Sequence, residues 1–209
     1  MKKIFYFIAA ITMISTSSFA QVEKGGQLFG VQSVFVKSYP QNEGAYKTSS
    51  YDADLSLFHL FMVSNRIGLG YFTNLNFSGY KSENKDSWGM DMNYKNRSLT
   101  GHIGPMARYM IPISQNTYIF PQFLTGFGRN WTTYHSNVHG SISNSKSNSS
   151  TSLTEFQFGM ANFLNQCVAL ETKIGYGWAR INQNEQKTKL NALGASFAAV
   201  LYFNRRTKV

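Results

Sequence analysis

The sequence predicts an all-β fold: an eight-stranded antiparallel up-and-down transmembrane β-barrel with short turns at one end and long loops at the other. Three observations predict it. The last hydrophobic run, residues 189–203, alternates between large apolar side chains and small ones. Seven earlier segments also alternate, and the connections between them alternate in length. Aromatic residues are plentiful (15%) and charged residues scarce (14%), as expected of an apolar belt between aromatic girdles.

The N-terminus has the features of a cleaved signal peptide. Lys2 and Lys3 supply a basic start, residues 4–14 an apolar run, and Ser18 and Ala20 the small residues before a cleavage site. The apolar run is shorter than the roughly 20 residues that a transmembrane helix needs. We therefore predict a signal peptide over residues 1–20 and one outer-membrane β-barrel domain over residues 21–209.

Period-two alternation defines the strands, because successive side chains of a strand point to opposite faces. The third segment shows it most clearly, with Ile67, Leu69 and Tyr71 on one face and Gly68 and Gly70 on the other. The fifth has the poorest alternation and contains Pro121, which indicates a bulge or the end of a ladder. The predicted strands are residues 27–36, 51–63, 66–79, 98–111, 117–134, 152–163, 167–181 and 189–203.

The connections alternate between short turns and longer polar segments. The turns are residues 64–65, 114–116 and 164–166, and the longer segments are residues 37–50, 80–97, 135–151 and 182–188. Bacterial outer-membrane barrels have short periplasmic turns and longer extracellular loops, which would place both termini in the periplasm. The alternative is a soluble eight-stranded barrel of lipocalin type, which is apolar inside. Glycine and charge share one face here while Ile, Leu, Tyr and Phe share the other, so the pattern favours an apolar exterior.

With these features, and with a closing strand that ends at the aromatic Phe203, the chain resembles the small eight-stranded outer-membrane β-barrels of Gram-negative bacteria, the OmpX and OmpA membrane-domain type. The resemblance covers the mature chain. It implies a location in the cell outer membrane and recognition of the terminal aromatic by the barrel-assembly machinery. The family usually ends at that aromatic residue, whereas residues 204–209 continue here.

The inward face of the predicted strands carries ionisable side chains. An eight-stranded barrel is only wide enough for its own side chains, and an unpaired buried charge costs several kcal/mol, so opposite charges should pair. We therefore predict a barrel-interior polar network that plugs the lumen. Its predicted members are Asp52, Asp54, Arg66, His102, Arg108, Glu155, Glu171 and Lys173. The alternative is that these groups line a gated ion path, as in a small porin-like channel.

Little in the sequence points to catalysis. His139 and Ser141 have the His-x-Ser spacing that resembles the outer-membrane lipid A deacylases, with Glu155 downstream as a carboxylate partner. They lie in a Ser/Asn-rich segment, so we keep this as a minor alternative. We expect no enzyme, no catalytic residue, no metal site and no cofactor.

Charge and loop composition point to the cell surface. The net charge is +10, but the positive residues are scattered, which argues against nucleic acid and favours outer-membrane lipid and lipopolysaccharide. The single Cys167 permits no intramolecular disulfide. We expect a monomer with a structural or surface-interaction role and a small channel as the alternative.

Overall fold

The computed structural model describes residues 22–38, 42–43, 46–85, 91–138, 140–183 and 186–203. The predicted signal peptide and the tail over residues 204–209 lie outside the described residues, as does His139. No helix within the described ranges is long and apolar enough to cross a membrane.

Eight long strands form the fold. They are β1 (Gln27–Ser38), β2 (Tyr46–Met62), β3 (Ile67–Lys85), β4 (Asp91–Tyr109), β5 (Thr117–Val138), β6 (Ser141–Phe163), β7 (Val168–Gln183) and β8 (Gln186–Phe203). Two-residue strands at Asn42–Glu43 and Ile111–Pro112 pair with β2 and β5. Each long strand is antiparallel to the next, and β8 returns to pair with β1. The sheet therefore closes, and the predicted fold class is confirmed.

Alternation along each strand separates an interior from an exterior. In β8, Ser196, Ala198 and Val200 are buried, whereas Leu193 and Phe197 are 82% and 72% exposed. The small side chains fit the narrow interior, and the large apolar ones are left outside.

Every strand contributes to this apolar exterior, the apolar belt. One member from each strand in turn is Val31, Leu57, Leu69, Ile103, Phe123, Phe158, Ile174 and Leu193. Monomeric soluble proteins rarely expose apolar patches larger than a few hundred Å². A belt that encircles the molecule is therefore the surface of a barrel that spans a membrane, and it argues against the soluble lipocalin-type alternative.

The interior near the short turns is more apolar than the sequence analysis predicted. Side chains from all eight strands fill it, including Leu28, Phe58, Leu60, Met62, Phe72, Met106, Phe120, Phe163, Ala169 and Val200. Protein interiors pack densely, and apolar side chains fill a closed end without leaving polar atoms unpaired. We name this group the apolar floor.

The prediction of a loop over residues 135–151 is wrong. β5 continues to Val138, β6 starts at Ser141, and the two strands stay in register throughout, from Thr117–Asn162 to Val138–Ser141. Gly140 has a φ of 79°, in the left-handed region that a tight hairpin turn needs. The other long connections are also shortened by strand extension, because β3 runs to Lys85 and β4 starts at Asp91. The long side of the barrel thus consists largely of protruding hairpins.

Two strand details also differ from prediction. The fourth strand ends at Tyr109 rather than at residue 111. β5 alternates well, with Tyr118, Phe120 and Gln122 buried. Pro121 lies within β5 opposite Phe158 of β6, but it has no paired residue on β4. Proline lacks the N–H that such a pair would need.

Candidate functional site

Arg108 of β4 lies above the apolar floor and crosses the lumen to β7. Its guanidinium donates to Glu171 at 2.5 Å and 3.1 Å through two nitrogens, and both side chains are fully buried. The same guanidinium lies over the rings of Phe120 and Phe58, at 4.0 Å and 4.9 Å from their centroids. A two-point ion pair between aromatic faces fixes the orientation of the arginine.

Neutral amides extend this pair into a network that reaches β5 and β6. Arg108 donates from Nε and Nη2 to Gln122 Oε1 at 2.8 Å and 2.6 Å. Gln122 donates to Gln157 at 2.7 Å, and Gln157 donates to Glu155 at 2.6 Å. We name the connected set Glu171, Arg108, Gln122, Gln157 and Glu155 the lumenal network. The sequence analysis missed both glutamines because it followed charge; their inward alternation could have identified them.

Lys173 is attached to this network less tightly. Its Nζ lies 3.6 Å from Glu171 Oε2 and 4.9 Å from the centroid of the Phe58 ring. The side chain is 1% exposed, and Nζ has no hydrogen-bond partner in the described part of the chain. A buried ammonium held only by this long contact with Glu171 can take a further acceptor from water or a ligand.

A cavity of about 410 Å³ lies above the lumenal network. Lys173 and Gln157 lie along its deep side, together with Phe58 and Phe72 of the apolar floor. Its volume falls in the range of small-molecule sites, roughly 300–1,000 Å³.

The remaining predicted carboxylates lie on one wall of this cavity. Asp54 accepts from Asn74 at 2.6 Å and from Ser56 at 3.1 Å, and Asp52 accepts from Asn76 at 2.5 Å. These bonds hold both carboxylates between β2 and β3, separate from the lumenal network.

His102 and Arg66 lie apart from both groups. His102 Nε2 bonds to the Thr151 hydroxyl at 2.7 Å. Arg66 precedes β3 in the turn region, is exposed, and donates to the Tyr109 hydroxyl at 3.5 Å. The strand that would have turned Arg66 inward begins one residue later, so the structure does not bring it into the interior.

Of the residues in the deacylase alternative, the structure describes Ser141 and Glu155, and it places them far apart. Ser141 and Glu155 lie on the same strand, 14 residues apart, which at about 3.3 Å per residue separates them by about 46 Å. Within the described ranges, no group of three or more His, Cys, Asp or Glu side chains could hold a metal ion.

The outer wall above the apolar belt carries a second set of charged side chains, which we name the basic ring. Its members are Lys81, Lys95, Arg97, Arg129, Lys146, Arg180 and Lys189, all exposed. Arg129 lies 12 residues after Thr117 and Arg180 lies 12 residues after Val168. With a strand tilt of roughly 40°, this places them about 30 Å above the short turns, just beyond an apolar band about 25 Å tall.

Comparisons with known proteins find several outer-membrane barrels among similar solved structures, all at low sequence identity. No family model and no curated protein matches the chain. The chain is similar to Ail, the attachment invasion locus protein of Yersinia pestis (12% identity, 86% of this chain, 99% of that chain, TM-score 0.37). It is also similar to OprG from Pseudomonas aeruginosa (14%, 90%, 100%, 0.42) and to the protease OmpT from Escherichia coli (7%, 90%, 97%, 0.38). These names include an attachment protein and a protease, and likeness at this level carries no conclusion about activity.

The strand topology itself decides the architecture. A closed eight-stranded antiparallel ring with an apolar exterior is that of the small outer-membrane barrels, so the resemblance stated above is confirmed for the fold.

Proposed function

We propose that the protein is an outer-membrane barrel with a surface-interaction role and that its basic ring binds the phosphate groups of lipopolysaccharide. The observation that carries this proposal is the position of the ring, at the level where lipid head groups meet the barrel wall. The predicted signal peptide and the apolar belt support the location.

Two cross-strand pairs within the ring support an anionic partner. Arg180 is directly opposite Lys189 on β8, and Lys81 is directly opposite Lys95 on β4. Like charges directly opposite each other destabilise a sheet, by about 0.2–1 kcal/mol. Among the acidic side chains that the structure describes, only Glu83 lies on this wall, next to Lys81. A bound phosphate between two cations would turn this repulsion into attraction.

The channel alternative has less support. The apolar floor and the Arg108–Glu171 pair occupy the lumen at the level where an ion would have to pass. No catalytic step is part of the proposal.

Replacing Lys189 by Gln should change the free energy of unfolding in opposite directions in two kinds of vesicle, and this difference tests lipopolysaccharide binding. In vesicles of zwitterionic lipid, the variant should unfold with a free energy higher by a few tenths of a kcal/mol, because the repulsion from Arg180 is lost. In vesicles that contain lipopolysaccharide, it should unfold with a lower free energy than the parent protein. Urea titration in both vesicles gives the measurement.

The matched control is Arg66→Gln, which removes an exposed cation at the opposite end of the barrel. It should change stability equally in both vesicles. A Lys189→Gln effect of the same sign in both lipids would contradict the proposal.

A further inference from the structure

The barrel wall is incompletely paired between its first and last strands. In the described residues, β1 and β8 pair only from Gln27–Phe203 to Ser33–Phe197. Beyond that point β1 continues to Ser38, paired with β2, and β8 extends back to Gln186, paired with β7. We name the gap between residues 34–38 and residues 186–196 the seam.

The end of the seam nearer the short turns, around Val34 and residues 193–196, lies at membrane depth, whereas Lys189 at its other end belongs to the basic ring. The paired part of β1 covers seven residues, from Gln27 to Ser33, whereas a membrane-spanning strand needs about 9–11. Unpaired backbone is tolerated at this depth only where it is buried in protein or lines a cavity.

The seam and the cavity are continuous. Gln32 and Val34 of β1 line the cavity on one side of the seam, and Leu190, Gly194 and Ser196 of β8 line it on the other. A Cβ added at Gly194 would meet no atom within 4 Å, so the space there is open. Next to it on the exterior, Leu193 is the most exposed large apolar side chain of β8. A path thus leads from the lipid-facing surface into the lumen.

The polar groups of the cavity define the head group that it would accept. Asp52, Asp54 and Glu155 line it, and none of them forms an ion pair within the described part of the chain. These carboxylates suit a cation. Lys173 lines the cavity, and its buried Nζ, held only by the 3.6 Å contact with Glu171, has room to donate to an acceptor oxygen.

We propose that the seam admits a single-chain amphiphile from the membrane, whose cationic head and adjacent carbonyl oxygen bind in the cavity while its alkyl chain leaves through the seam. The ammonium lies near Asp54 and Glu155, and the carbonyl accepts from Lys173. The inference requires the membrane location but does not depend on lipopolysaccharide binding, so either can fail alone.

Three probes separate the contributions of the alkyl chain, the ester and the ammonium group to binding. They are palmitoylcholine, with chain, ester and ammonium; methyl palmitate, with chain and ester only; and choline, with the ammonium only. The protein is reconstituted in nanodiscs, and the side-chain amide NMR signals of Asn74 and Gln157 report binding, because both residues line the cavity. Palmitoylcholine should shift these signals saturably. Methyl palmitate and choline should bind at least tenfold more weakly.

Variants of the protein test the route through the seam and the role of the cavity carboxylates. Gly194→Trp fills open space at the seam and should weaken palmitoylcholine binding at least tenfold. Leu193→Trp, one residue away on the exterior, should leave binding within twofold. Asp54→Asn combined with Glu155→Gln should remove the preference for palmitoylcholine over methyl palmitate. Heat-modifiable gel migration verifies that each variant is folded.

Several results would overturn the proposal. Equal binding of methyl palmitate and palmitoylcholine would mean that the carboxylates do not contribute to binding. Choline binding that Gly194→Trp leaves unchanged would indicate an aqueous cation site reached from the barrel mouth. A dimer in nanodiscs that Leu193→Trp disrupts would mean that a second copy of the chain occupies the seam.

Discussion

Arg108 is the side chain that joins the ionic, amide and aromatic groups of the barrel interior. It donates to Glu171 and Gln122 while its planar group lies over Phe58 and Phe120. A lysine could not reproduce this arrangement, because it lacks the flat fork that binds two acceptors and stacks on rings. With both charges out of water, the pair is costly to break, above all by loss of Glu171, which also lies 3.6 Å from Lys173.

A double-mutant cycle measures that coupling. Glu171→Ala should lower the free energy of unfolding by about 3–5 kcal/mol, because it leaves Arg108 and Lys173 buried without their carboxylate partner. Arg108→Ala should lower it by less, because Lys173 still lies 3.6 Å from Glu171. The double variant should lose clearly less than the sum of the two. Urea titration in vesicles of zwitterionic lipid gives the three values. In the same vesicles Arg129→Ala, which removes an exposed arginine, should change stability by less than about 0.5 kcal/mol. Strict additivity would mean that the two groups are not coupled.

Sequence reasoning identified the ionic part of the interior better than the neutral part. Arg108, Glu171 and Lys173 stand on inward positions of clearly alternating strands, and the structure brings them together. Gln122 and Gln157 were missed, although they connect Arg108 to Glu155. Position along the strands places Asp52 and Asp54 in the outer half of the barrel and Arg108 in the other half. Alternation does not give hydrogen-bond partners, so it could not show that Asn76 and Asn74 hold these two carboxylates between β2 and β3.

At the scale of elements, the protruding hairpins explain the main error in the predicted strands. Residues 135–151 are polar on both faces, because both faces meet water beyond the membrane, and period-two alternation therefore vanishes. Backbone pairing between β5 and β6 persists all the same, from Trp131–Asn148 to Val138–Ser141. A Ser/Asn-rich composition thus indicates exposure here rather than an irregular loop.

The contact between β4 and β5 depends on glycine. A Cβ at Gly104 would collide with the carbonyl oxygen of Thr125 and with the backbone of Gly126, neither of which can rotate away. The β4–β5 register has no pairs between Ile103–Phe127 and Met106–Leu124, which marks the irregular step. The two strands can approach this closely only because residue 104 lacks a side chain.

Gly104→Ala should therefore lower the free energy of unfolding by about 1–3 kcal/mol, the usual cost of forcing atoms into packed space. Gly194→Ala is its matched control, because it adds the same methyl group to an inward position of β8 with nothing within 4 Å. The control should stay within about 0.5 kcal/mol of the parent protein in the same urea titration. Equal losses at the two positions would contradict a specific role for the close contact between Gly104 and β5.

At the scale of the whole molecule, the interior is asymmetric. The apolar floor closes the end with the short turns, and the cavity lies in the half nearer the protruding hairpins. The eight-strand count and the apolar exterior could be predicted from alternation, which is a local property of each strand. The seam could not, because pairing between β1 and β8 depends on how far two strands distant in sequence remain side by side.

This asymmetry predicts that the refolded protein does not conduct. In a planar bilayer it should give no resolved current steps, because ions would have to displace the apolar floor and the buried Arg108–Glu171 pair. Heat-modifiable gel migration of the same sample is the control for folding. Reproducible steps of a single size from folded protein would favour the channel alternative.

The short turns at one end and the protruding hairpins at the other predict the orientation of the barrel in the outer membrane, and a cysteine at each end can test it. Cys167 is exposed in the short turn between β6 and β7, and Ser143 is exposed near the tip of the β5–β6 hairpin at the opposite end. If the short turns are periplasmic, a maleimide-polyethylene glycol too large for porins should not modify Cys167 on intact cells. It should modify Ser143→Cys in a Cys167→Ser background under the same conditions. Permeabilised cells should allow both reactions, which a gel shift detects. Modification of Cys167 on intact cells, with Ser143→Cys protected, would mean that the barrel is inserted the other way round and that the basic ring faces the periplasm rather than the lipopolysaccharide.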